Sequence, residues 1–158
     1  MWDWRWYVRV AERLRPKKCA DDYELGRVRS AISRAYYAAY NVTKAYMRAN
    51  KHEIDAPSNS HKPYWEAIEH NTSLSADENE VGIKGKHLMS LRINADYHDP
   101  EVDPSMPEHA KAKKLERHRE KLMANSEAAI TVAHEIFRLL KQPFPTAAES
   151  DAAKKPQQ

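Results

Sequence analysis

One apolar stripe runs unbroken, with no proline, through residues 23–50: Leu25, Val28, Ile32, Ala35 or Tyr36, Ala39, Thr43 and Tyr46 or Met47 recur at three- and four-residue spacing. That period dictates a single long helix, and Asp21 or Asp22 supplies the oxygen that caps its first turn. Segment 30–40, Ser-Ala-Ile-Ser-Arg-Ala-Tyr-Tyr-Ala-Ala-Tyr, alternates small residues with tyrosines. Small side chains let a neighbouring helix approach closely, while the tyrosines fill the flanks and keep their hydroxyls for hydrogen bonds. These positions read as core; only Arg27 and Arg34 in this helix are candidates for a site.

The remaining chain is organised the same way. Residues 108–140 form the longest expected helix, with Leu115, Leu122, Ser126, Ala129, Ala133, Ile136 and Leu140 facing inward. Residues 2–15 give a shorter amphipathic helix on Trp6, Val10 and Leu14, with Tyr7 and Ala11 beside them, closed by Pro16. A short helix over 63–70 turns Trp65 and Ile68 inward, and Ser75 with Glu78 is spaced as a capping box. Gly82 and Gly85 weaken the start of the helix that follows, so its firm part is expected from Lys84, with Leu88, Leu91 and Ala95 inward. Stretches 51–62 and 101–107 read as loops, and 143–158 as a disordered tail. With three glycines against nine prolines, and 41% hydrophobic residues in a chain of 158, the expectation is one all-α helical bundle over residues 1–142.

Charge excludes little: 26 basic against 23 acidic residues leave only +3. The basic residues do cluster, however, and Lys111, Lys113, Lys114, Arg117, Arg119 and Lys121 make the densest patch. Glu108, Glu116 and Glu120 partly neutralise it, so it is either a solvated helix face or a phosphate-contacting one. Trp2, Trp4 and Trp6 interleave with Arg5, Arg9 and Arg13; they serve either to pack against a helix or a second subunit, or to stack bases. The single Cys19 rules out an internal disulfide, and Lys17 and Lys18 beside it should lower its pKa. No His-Glu-x-x-His, phosphate-binding glycine loop or Gly-x-Ser-x-Gly elbow occurs, so neither metal nor cofactor is expected. No apolar run is long enough for a membrane span and no signal-peptide pattern is present, which points to a cytoplasmic protein.

The best chemical candidates stand at the end of the helix that closes at Pro100. Proline disfavours helical angles at Asp99 and so leaves His98 in or just past the last turn. Arg92 and His98 are six residues apart, about 240° around a straight helix, so they share a face only if the chain unwinds after Asp96. Arg92 and Asp96 can form an i,i+4 ion pair. The plain reading is a solvated helix end; the chemical one pairs a permanent cation with a titratable imidazole.

Two segments together resemble the HEPN domains, small all-helical domains named for higher eukaryote and prokaryote nucleotide binding. Segment 30–40 resembles the serine and Tyr-Tyr-Ala-x-Tyr signature of their long second helix. Arg92 to His98 resembles their Arg, four to six residues, His motif, including the run Ala95, Asp96, Tyr97. The resemblance implies a long antiparallel helical hairpin and a two-fold homodimer that sets two Arg/His motifs in one cleft. Many such domains are metal-independent ribonucleases, often toxins paired with a nucleotidyltransferase antitoxin; others are non-catalytic binding modules. Carried to this chain, His98 would move the proton at the ribose 2′-hydroxyl or the leaving oxygen. Arg92 would hold the phosphate, and Asn94, Asp96 and Tyr97 would support the pair. Arg34, Lys111, Lys114, Arg117 and Lys121 would track the RNA. Ile93 stands where active relatives often carry a polar residue, and Pro100 where some toxins carry a modified tyrosine.

Overall fold

Capping and apolar periodicity divide the chain into five helices: α1 (Arg5–Leu14), α2 (Asp22–Ala49), α3 (His61–Glu69), α4 (Ala76–Tyr97) and α5 (Glu108–Leu139). The structure, a computed structural model, describes residues 3–57 and 60–142, and among them there is no strand. Trp2, Ser58, Asn59 and the expected tail 143–158 lie outside the described residues. Asp21 caps α2, accepting from the Glu24 amide at 2.8 Å. At α4 the capping box is complete: the Ser75 hydroxyl takes the Glu78 amide, and Glu78 takes the Ser75 amide at 2.8 Å.

Side-chain pairs fix the directions. Arg29 near the start of α2 meets Asp99 beyond the end of α4, whereas Tyr46 near the end of α2 meets Glu78 in the first turn of α4, so the two helices are antiparallel. Arg119 reaches Asp22, and Leu140 closes a cavity with Val42 and Ala45, so α5 runs parallel to α2. Lys84 to Glu135 sets α4 against α5 in opposite directions, and Arg34 over Tyr7 does the same for α1 and α2.

α2 is the centre of the bundle. Its buried positions extend beyond the expected stripe to Ala31, Ala38 and Val42, an arc of about 200° at about 100° per residue. α1, α4 and α5 all pack on that arc. Small residues are what allow three helices to reach one.

Three expectations are corrected. α4 is unbroken from Ala76, because Gly82 and Gly85 serve to let α3 approach rather than to loosen the helix. A Cβ at Gly82 would sit 2.7 Å from the Trp65 carbonyl oxygen and 2.8 Å from Glu69 Cα, and one at Gly85 would enter the Trp65 ring. On α1 the buried residues are Val8 and Ala11, while Trp6 is half-buried and Val10 is 41% exposed. The helix is rotated because α1 faces both α2 and α5. Leu115 is likewise 39% exposed, and no residue of α5 before Leu122 is buried. The basic half of α5 therefore projects past the apolar core.

Candidate functional site

α4 stays helical through Tyr97, and His98 is its C-cap at φ −116° and ψ 82°. The unwinding that would swing His98 toward Arg92 does not occur. No hydrogen bond joins the two within the chain, and the roughly 240° set by the helix stands between them.

Each is nonetheless held by contacts of its own. Arg92 keeps only 19% of its side chain exposed; its Nε donates to Asp96 Oδ2 at 2.9 Å, and its guanidinium lies 5.3 Å from the Tyr37 ring centre and 5.7 Å from that of Tyr36. Burial opposes its charge, but Asp96 and the phenols outweigh it, so the guanidinium is a fixed cation with its outer nitrogens left over. His98 is exposed, and its Nδ1 lies 3.3 Å from the Ile93 carbonyl oxygen. A carbonyl can only accept, so Nδ1 carries a proton in that contact. Asp96 holds the guanidinium as expected, whereas the Asn94 side chain makes no hydrogen bond among the described residues. Tyr97 is 70% exposed on the same helix end.

The expected RNA-binding residues fall into two groups. Arg34 lies two residues, about 200°, around α2 from Tyr36, with its guanidinium 5.2 Å from the Tyr7 ring centre on the α1 side. It is not brought to Arg92. The α5 patch, by contrast, borders the chain just after His98, because Lys114 donates to the Glu101 carbonyl and the charge of Asp99 acts on His118. Lys111 is paired with Glu108, and Arg117 and Lys121 are exposed. Cys19, in a groove of about 980 Å³ between the 17–20 loop and α5, is corrected: burial pushes the thiol up, ahead of the opposing Arg119.

Sequence reasoning placed His61 in a loop and missed it. It opens α3, and its Nδ1 meets the Tyr36 hydroxyl at 2.5 Å while its ring stacks on Tyr40 at 4.2 Å. The Trp65 indole also donates to that hydroxyl at 3.4 Å. Burial first, then the charges of Arg92 and Lys44, hold the imidazole below its usual range, so it is neutral near pH 7. The spacing of His61, Trp65 and Ile68, four and then three, was the available signal.

Arg29 and Asp99 form a second unforeseen contact, an ion pair that ties α2 to the residue after His98. His118 of α5 lies close enough for both charges to act on it. Its Nε2 and Arg29 Nε are buried without hydrogen-bond partners.

Among the described residues no cluster of three His, Cys, Asp or Glu could hold a metal ion, and no helix is long and apolar enough to cross a membrane. Compared with known proteins, the chain matches no family model, no curated protein and no solved structure.

Proposed function

We propose that the chain is a metal-independent endoribonuclease of the HEPN type that works as a symmetric dimer. The observation that supports this reading is the setting of the two motif residues: a guanidinium immobilised on Tyr37 by Asp96, and at the exposed end of the same helix an imidazole whose Nδ1 donates to the Ile93 carbonyl. Arg92 would bind the scissile phosphate and the charge that develops on it. His98 would take the 2′-hydroxyl proton as that oxygen attacks phosphorus, and a second His98 would protonate the departing 5′-oxygen. The products are a 2′,3′-cyclic phosphate and a 5′-hydroxyl, and the need for a 2′-hydroxyl confines the reaction to RNA.

A second copy supplies the second histidine. Ile83, Ser90, Ile93 and Tyr97 recur on α4 at seven-, three- and four-residue spacing, and Ile83, Ile93 and Tyr97 are 46%, 37% and 70% exposed. An isologous contact along that stripe, with its two-fold axis parallel to α4, would set the two motif ends side by side. A toxin role, restrained by a nucleotidyltransferase antitoxin, agrees with this chemistry; finding a nucleotidyltransferase gene adjacent to this one would support it.

The separation of Arg92 from His98 within one chain favours a second reading, a non-catalytic module that binds RNA, nucleotide or a protein partner. The test is cleavage of varied RNAs in EDTA by wild type, His98→Ala and Arg92→Ala. We expect cyclic-phosphate ends from wild type, with a loss of at least about 100-fold in either variant. Equal cleavage by all three proteins, or none by a folded dimer, selects the binding module.

A further inference from the structure

Two basic residues of α2 stand on the same face as the tyrosine that Arg92 covers. Lys44 and Arg48 stand four apart on its second half, and among the described residues neither forms an ion pair or a side-chain hydrogen bond. The Lys44 ammonium lies 5.3 Å from the Tyr40 ring centre, the ring on which His61 stacks. Both residues also line a cavity of about 190 Å³ with Met47, His52, Ile54 and Tyr64. On the other side of His61, Arg92 covers Tyr36 and Tyr37. The order along this face is thus Arg92, Tyr37, His61, Tyr40, Lys44, Tyr64, Arg48, three cations set among rings; among the described residues Asp96 is the one carboxylate paired to any of the cations. The α5 patch differs, because Lys111, Lys114 and Arg119 are already engaged by Glu108, the Glu101 carbonyl and Asp22.

We propose that this face of α2 and α3 binds single-stranded RNA, with Arg92, Lys44 and Arg48 on phosphates and the half-buried rings of Tyr37 and His61 against bases. From Tyr37 to Arg48 the helix rises about 16 Å, enough for several nucleotides. Cations set among rings suit sequence-tolerant binding, since cations follow the backbone and every base offers a ring face. Lys44 and Arg92 disfavour protonation of His61, and a phosphate between them would reverse that field and raise the imidazole's pKa. The site rests on the reading of RNA as the ligand but not on cleavage.

The test uses a fluorescent 2′-O-methyl oligouridine, which binds as RNA does but cannot be cut, with uridine monophosphate as the second arm. Lys44→Gln and Arg48→Gln are each expected to weaken binding several-fold and to lower the salt slope by about one. The His61 ring resonances should shift on titration, and the imidazole should titrate at higher pH when the probe is bound. Lys17→Gln, the same charge change beyond the opposite end of α2, should bind as wild type does. Binding that survives both α2 variants, a salt slope they leave unaltered, or no binding by wild type overturns the assignment; so does a monophosphate that binds as tightly as the oligouridine. If the probe binds through Lys44 and Arg48 while natural RNA is never cleaved, only the nuclease reading falls. If natural RNA is cleaved while these variants bind normally, only the strand-binding face falls.

Discussion

The crossing of α3 over α4 and the far end of α4 are built on opposite principles. At the crossing Trp65 and Ile68 are fully buried, the glycine backbone of α4 touches α3, and Asn79 donates to the Ile68 and Asn71 carbonyls at 2.8 and 2.9 Å. At the far end cohesion comes from charged contacts: Arg29 with Asp99, Lys114 with the Glu101 carbonyl, Arg119 with Asp22 and the Ala20 carbonyl. One region is held by shape, which no ligand can replace, and the other by charges, which a phosphate can exchange. His98 sits at the second kind of place, while Arg92 joins the two by resting on the tyrosines of the first.

The largest break in this contrast is at the crossing. Trp65→Ala should cost about 3–5 kcal/mol in urea unfolding, through lost burial and the cavity left behind. Gly82→Ala should cost about 1–3 kcal/mol despite alanine's gain of roughly 1 kcal/mol in helix propensity, because the added methyl meets Trp65 and Glu69 backbone that cannot turn aside. A neutral or stabilising Gly82→Ala would show that α3 is free to shift and that the crossing is not held by shape.

This contrast also sorts what was legible in the sequence. Period and caps gave the five helices, and the Ser75 and Glu78 spacing was readable as a capping box, though the firm start of α4 was expected only at Lys84. Val10 and Leu115 were misplaced because a helix facing two neighbours, or projecting past the core, breaks the single-stripe assumption. Gly82 and Gly85 were misread since propensity describes an isolated helix, and only the neighbour reveals a close approach. At the site, Arg92 with Asp96 was readable as an i,i+4 pair, whereas His61 and Arg29 join it from 31 and 63 residues away in sequence. Local spacing carries no trace of such pairings.

An intermediate effect belongs to Ser75→Ala. Glu78 is 8% exposed, and besides the cap it accepts from the Tyr46 hydroxyl and meets His52 Nε2, both at 3.0 Å, which ties α4 to the end of α2. Burial pushes its carboxyl up, but the Ser75 backbone and hydroxyl bonds, then Tyr46 and His52, bring it below the usual range. Loss of the hydroxyl should cost about 1 kcal/mol and open the first turn of α4 to hydrogen exchange. Protection unchanged there would mean that Glu78 alone holds the turn.

The smallest effect separates the charged end from the crossing by pH. His118 is pushed below its usual range by burial first and then by Arg29 and Lys121, with Asp99 opposing, so protonation is harder in the folded chain than in the unfolded one. The unfolded chain then binds more protons, and stability is lost as pH falls below about 6.5, the ordinary histidine value. Asp99, its side chain 75% exposed, is held below its usual range by Arg29, and what the pair contributes, at most about 1 kcal/mol, is lost only near pH 4 and below. Between pH 7 and 5, therefore, His118→Gln should lose less stability than wild type in urea titrations, while Asp99→Asn, which also removes the carboxylate that favours His118 protonation, should lose more. The same slope in all three proteins would place the acid sensitivity elsewhere and leave the Arg29, Asp99 and His118 contacts as surface charge, with no hold on the residue beside His98.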